Sequence, residues 1–162
     1  MIRHVRAADH AAIRAVNLAA FPEAAEADLV ERLRADGDVV FELVAEADGE
    51  VVGHILFSRL WADSVTLYLA LAPMAVVPGE QKRGLGSALV RAGLEFCKEC
   101  GAHGVVVLGH VDYYPRFGFS AETAARVASP YAGSPAFMAL ALEDGAFDAR
   151  LTLAYPDAFT GL

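Results

Sequence analysis

Cysteine is scarce: the 162 residues contain only Cys97 and Cys100. A disulfide framework needs several pairs and a structural zinc site needs four ligands, and one Cys97-Lys98-Glu99-Cys100 spacing supplies neither. Its position late in a helical pattern also separates it from a strand-to-helix redox pair, so reduced helix cysteines and no metal are expected. Long apolar runs are missing too. Hydrophobic residues make up 56% of the chain and mean hydropathy is +0.38, but the excess is Ala and Val spread along the sequence, and no run approaches the ~20 residues of a membrane span. Positive charge is in deficit, with 13 Lys and Arg against 21 Asp and Glu, a net charge of −8 and a pI near 5.0. Phosphate-backbone binding needs a basic field, which argues against nucleic acid as the main partner. The start, Met1 to Arg6, carries basic residues with no apolar block and small-residue cleavage site behind them. No signal peptide is therefore expected, and the protein reads as cytoplasmic.

What is present fits one domain over residues 1–162, large enough to bury roughly two thirds of its unfolded surface. Ile2 to Arg6 reads as a short strand. Asp9 offers a cap to a helix in which Ile13, Val16 and Ala20 recur at helical spacing, ended by Phe21-Pro22. A second helix is predicted over Asp28 to Ala35, stopping at Asp36-Gly37. Val39 to Glu46 and Glu50 to Leu60 flank Asp48-Gly49, the sequence signal of a tight antiparallel hairpin. Thr66 to Val77 is a further apolar strand interrupted at Pro73, which lacks the N–H a regular ladder needs, so a bulge or splay is expected there. A helix follows from Leu85 towards Gly101, then a buried strand over Val105 to Leu108, a helical turn at Tyr113 to Phe117, and late strands over Phe137 to Leu142 and Ala149 to Leu153.

Between the broken strand and the helix lies Gln81-Lys82-Arg83-Gly84-Leu85-Gly86-Ser87. A glycine-rich helix start presents free backbone N–H groups and the positive end of the helix dipole to one point, which suits an anion. Lys82-Arg83 adds a local positive spot to an acidic chain, pointing to a small phosphorylated ligand. A Walker loop starting at Gly79 would need Lys where Leu85 stands, and a dinucleotide fingerprint starting at Gly84 would need a small residue where Leu89 stands. Both fail.

The segment Gln81-Lys82-Arg83-Gly84-Leu85-Gly86 resembles the signature of the GNAT superfamily of N-acetyltransferases: Gln or Arg, two residues, Gly, one residue, then Gly or Ala at a helix start. Downstream, Tyr114-Pro115-Arg116-Phe117-Gly118-Phe119 resembles that family's tyrosine segment. With Leu71-Ala72-Pro73-Met74-Ala75-Val76, the segment Asp112 to Phe119 is similar to the YhbS-like branch of predicted bacterial acetyltransferases. The resemblance implies an α/β fold with a central mixed, mostly antiparallel sheet, splayed strands and flanking helices. It implies acetyl-CoA as co-substrate, with the pantetheine arm along Ala75, Val76 and Val77 and the pyrophosphate at Gln81 to Ser87. The reaction it implies is direct acetyl transfer to a primary amine of a small molecule or peptide in a ternary complex. A homodimer is compatible with it.

By the same resemblance Tyr114 is the general acid towards the coenzyme sulfur, with Tyr113 in reserve. The proton acceptor stays open. The strand Thr66 to Val77 has no carboxylate, and His110, His54 and Glu42 are the candidates, each with a structural or surface role as the simpler reading. Glu23 and Glu26 fall where this fold brings its first helix–helix loop over the acceptor, as a cation attractor or as a solvated helix start. Many relatives carry an Asn before the tyrosine, and here the only Asn is Asn17, which leaves Arg116 as a substitute contact to consider. The competing reading is a non-catalytic acyl-CoA sensor, favoured by the missing carboxylate and opposed by Tyr114.

Overall fold

The computed structural model describes residues 1–63 and 65–160. Its backbone is a six-stranded sheet in the order β1-β2-β3-β4-β5-β7. The strands are β1 (Ile2–His4), β2 (Val39–Ala47), β3 (Glu50–Leu60), β4 (Tyr68–Val76), β5 (Gly104–Leu108) and β7 (Phe137–Ala141). Only β4 and β5 run parallel; every other neighbouring pair is antiparallel. Two short strands, β6 (Val127–Ala128) and β8 (Leu151–Thr152), form a separate parallel ladder. The late strand expected from Ala149 therefore lies outside the main sheet.

The Asp48-Gly49 turn forms because both residues take positive φ, 52° and 78°, the conformation that matches the twist of the flanking strands. Helices α1 (His10–Ala20) and α2 (Ala25–Asp36) cover one face and α3 (Leu85–Glu99) the other. Period-two alternation feeds both layers: Phe41, Leu43, Ile55 and Phe57 pack towards α3, while Val44 and Leu56 pack with Ile13, Leu29 and Leu33. α3 comes close because it presents Gly93 to β3. A Cβ there would lie 2.5 Å from the Phe57 ring.

Asp9 does not cap α1. Its carboxylate accepts from Arg3 at 2.7 and 2.9 Å and from the Arg6 N–H at 2.7 Å, which closes the short 3-10 turn before the helix and ties β1 to it. α2 ends on Gly37 in the left-handed conformation at φ 76°. The Cys97–Cys100 spacing ends α3, with Cys97 buried, Cys100 exposed and both thiols free.

Candidate active site

Parallel pairing of β4 with β5 is short: Tyr68 faces Gly104, Leu69 faces Val105 and Ala70 faces Val106. Beyond Ala70 the two strands part, while β4 stays paired with β3 as far as Val76. The cause is a bulge. Between Leu71 and Met74, β4 carries two residues, Ala72 and Pro73, opposite the single Leu56 of β3. Pro73 has no N–H to give the ladder, and the extra residue bends β4 away. A cleft of about 970 Å³ opens in the gap.

α3 begins at one wall of this cleft. Gly84 caps it at φ 83°, and Lys82 before it also has positive φ, 63°. The first helical bond runs from the Ala88 N–H to the Gly84 carbonyl, which leaves the N–H groups of Leu85, Gly86 and Ser87 without an acceptor among the described residues. Gly86 is small for a packing reason. A Cβ there would sit 3.1 Å from the Tyr113 hydroxyl and 3.4 Å from Met74 Cε, so this glycine brings α3 against the turn that carries the tyrosines. The Gln81 side chain donates to the Val76 carbonyl at 2.9 Å, tying the loop to the end of β4.

The residues singled out in the sequence are distributed as follows. Ala75, Val76, Gln81, Lys82, Gly84, Gly86 and Ser87 line the cleft. Val77 donates its N–H to Val52 instead, the Arg83 guanidinium reaches Glu80 at 3.4 Å from an exposed position, and Leu85 packs on the core.

At the far wall, the 3-10 turn Tyr114–Phe117 follows β5. Tyr114 is buried, lines the cleft and packs its ring against Gly109, where a Cβ would come within 2.3 Å of it. Burial, with the Tyr113 phenol beside it, pushes the Tyr114 phenol above its usual range, so it stays an O–H donor. Tyr113 is held differently. Its hydroxyl meets Ser87 Oγ at 3.2 Å, and Arg116 stacks on its ring at 4.6 Å while donating to its carbonyl.

Of the three candidate proton acceptors, His110 lines the cleft and the other two do not. His54 is fully buried beneath α1 and α2, where Nε2–H donates to Glu42 Oε1 at 2.7 Å and Nδ1 accepts from Asn17 Nδ2 at 3.2 Å. Arg34 grips the same carboxylate with two bonds of 2.9 and 2.8 Å. Burial lowers the affinity of His54 for a proton, more than Glu42 raises it. Burial pushes the Glu42 carboxyl up, but the hydrogen bonds from His54 and Arg34 together outweigh it and bring it down to about 2. This is a neutral imidazole on an ionised carboxylate, closed to solvent.

On the acceptor side the sequence points to Glu23 and Glu26 but gives no sign of the rings beside them. Glu26, in the first turn of α2, and Phe21, in the loop before it, line the cleft together with Tyr131, Tyr155 and Phe159 from the C-terminal segment. Glu23 is exposed and does not line the cleft. Tyr131 and Tyr155 pack edge to face at 5.0 Å, and Tyr155 and Phe159 at 5.2 Å. These rings come from stretches with no motif spacing. Among the described residues, no group of three His, Cys, Asp or Glu side chains could hold a metal.

A mixed sheet opened at a bulge, with a glycine-capped helix starting in the opening, defines the acyl-CoA N-acyltransferase architecture. Residues 9–119 match the family described as Acetyltransferase (GNAT) family. The chain belongs to that family. It is 43% identical over 117 residues to the uncharacterised N-acetyltransferase YjhQ of Escherichia coli (strain K12), a stretch covering 68% of this chain and 64% of YjhQ. To YhbS of the same organism it is 41% identical over 101 residues, 61% of this chain and 60% of that protein. The match thus spans somewhat less than two thirds of these relatives' length. The crystal structure of E. coli YhbS in complex with CoA superposes with a TM-score of 0.92 at 32% identity, covering 98% of this chain and 91% of YhbS. A GNAT family acetyltransferase from Brucella melitensis in complex with acetyl-CoA gives 0.82 at 36% identity, covering 98% and 97%. Among the described residues no helix is long and apolar enough to cross a membrane.

Proposed function

We propose that this chain, acting as one domain, transfers the acetyl group of acetyl-CoA directly to a primary amine held in the same cleft. The observation that carries the reading is the convergence on one cleft of three features: the free N–H groups opening α3, the unpaired half of β4 and the Tyr114 phenol. The two solved relatives that hold CoA or acetyl-CoA add weight to it. The pyrophosphate would sit at the start of α3, between Lys82 and Ser87, and the pantetheine arm would run along Ala75 and Val76, where β4 has no neighbour on its β5 side.

In the reaction, the amine nitrogen forms a bond to the thioester carbonyl carbon and the carbon–sulfur bond breaks. The amine loses a proton and the departing sulfur gains one. Tyr114 serves the sulfur. A thiolate has an ordinary pKa near 8.5, below that of a buried phenol, so Tyr114 stabilises the developing charge first through its hydrogen bond and only then through proton delivery. Of the candidate bases His54, Glu42 and His110, only His110 lines the cleft, which supports giving it the amine's proton, directly or through water. The two thiols are free, which suits a reducing compartment such as the cytoplasm.

The test is calorimetric titration with acetyl-CoA followed by thiol release over an amine panel. Amine-dependent release of one CoA per acetylated product is expected. Tight coenzyme binding without release to any amine would favour the sensor reading, which the absence of a carboxylate on β4 supports.

A further inference from the structure

The cleft takes its cations and its carboxylate from different elements. Its cations, Lys82 and Arg116, belong to the glycine loop and the tyrosine turn. Among the described residues, Glu26 is the only carboxylate that lines it, in the first turn of α2. α2 packs on the 3-10 turn Asp157–Phe159, with Leu29, Tyr155 and Phe159 in one cluster, so Glu26 stands at the aromatic end.

The tyrosine hydroxyls divide in the same way. Of the five tyrosines, Tyr68 donates to the Ala146 carbonyl and Tyr113 pairs with Ser87. The hydroxyls of Tyr114, Tyr131 and Tyr155 have no partner among the described residues, and all three residues line this cleft. Burial raises the Tyr131 and Tyr155 phenols, so both remain neutral. Two free neutral phenols, a Phe ring and one carboxylate make a wall that is apolar in body and anionic at one point.

Resting on the transferase reading and narrowing it, we infer that the acceptor is a monocationic primary amine carried on an apolar or aromatic body. Glu26 draws the ammonium group into the cleft, the nitrogen gives up its extra proton before it attacks the thioester, and Tyr131, Tyr155 and Phe159 enclose the body. Aromatic faces attract both cations and apolar surface. A free amino acid would bring a carboxylate to a wall that offers only Glu26, a like charge. A polyamine would bring several cations to a single carboxylate and leave the rest desolvated against rings.

The experiment compares phenethylamine, spermidine and glutamate as acceptors with acetyl-CoA, and titrates phenethylamine into the CoA-loaded protein. Phenethylamine should have the highest kcat/KM and bind the loaded protein. Glu26→Gln, which keeps the shape of the residue, should raise its KM by about tenfold by removing one charge-assisted contact, with acetyl-CoA affinity unchanged. Tyr155→Ala should also raise KM. Preference for spermidine or glutamate, or an unchanged KM in Glu26→Gln, would overturn this inference and leave the transferase reading standing. If acetyl-CoA binds and phenethylamine neither binds nor reacts, the inference also fails. If acetyl-CoA itself does not bind, both readings fall.

Discussion

Polar groups are handled in opposite ways on the two sides of β4. Under α1 and α2, His54, Glu42, Arg34 and Asn17 satisfy one another, and within that network only the Asn17 Oδ1 atom lacks a partner. In the cleft, three phenols, the N–H groups of Leu85 to Ser87 and one side of β4 are left unmatched. None of the three phenol oxygens is among the buried unpartnered atoms, so solvent reaches them through the cleft and they stay available to a ligand, whereas an unmet buried group would cost roughly 1–3 kcal/mol. The sequence leaves His54 and Glu42 beside His110 as base candidates; their completed partnerships are what remove them.

This contrast predicts that cleft substitutions lose activity and keep stability, and that network substitutions do the reverse. The largest expected effect is in the cleft. Tyr114→Phe should lower kcat by about 100-fold or more, the usual scale of acid–base assistance, with coenzyme affinity and Tm little changed. Near-normal kcat with chemistry rate-limiting would reduce Tyr114 to packing.

Next comes the network. Glu42→Ala leaves Arg34 and His54 facing each other without their carboxylate and should cost about 3 kcal/mol in urea unfolding. kcat of the folded protein should hold. The same residues set the acid limit. Glu42 binds its proton less readily folded than unfolded, and so does His54, so stability is full above the unfolded values, about 6.5 and 4.5, and is lost as pH falls towards the folded value of about 2. Glu42→Gln should flatten that loss below pH 5. An unfolding midpoint indifferent to pH between 7 and 4 would break the comparison.

A smaller effect tests the junction. Gly86→Val must displace Tyr113 or Met74 and should weaken coenzyme binding by about tenfold or more through misplacement of the α3 start. Unchanged affinity would move the pyrophosphate elsewhere. The smallest concerns Cys100→Ser, exposed at the end of α3, which should stay within about 0.5 kcal/mol of the parent.

Features fixed by neighbouring residues could be read from the sequence. Asp48-Gly49 marks its hairpin, Pro73 marks the place where β4 leaves β5, and the glycine loop and tyrosine turn fall at the cleft. Features fixed by distant residues could not. Nothing near Glu42 announces His54 twelve residues on and Asn17 on helix α1, and Asp9 looks like a cap until Arg3 is seen to claim it. The aromatic end of the cleft depends on how the chain after Ser120 returns to α2, which no local pattern encodes.

Gly93 has a consequence beyond packing. It seats α3 on the Phe57 ring, eight residues from the helix's first residue, a distance of about 12 Å at 1.5 Å per residue. The helix is therefore a lever with its fulcrum in the core and its working end at the proposed coenzyme site. A tilt of only ~5° at that fulcrum moves the far end by about 1 Å, a displacement that can cost on the order of 100-fold in rate. A substitution at Gly93 or Phe57, remote from every reacting atom, would act as a change in aim.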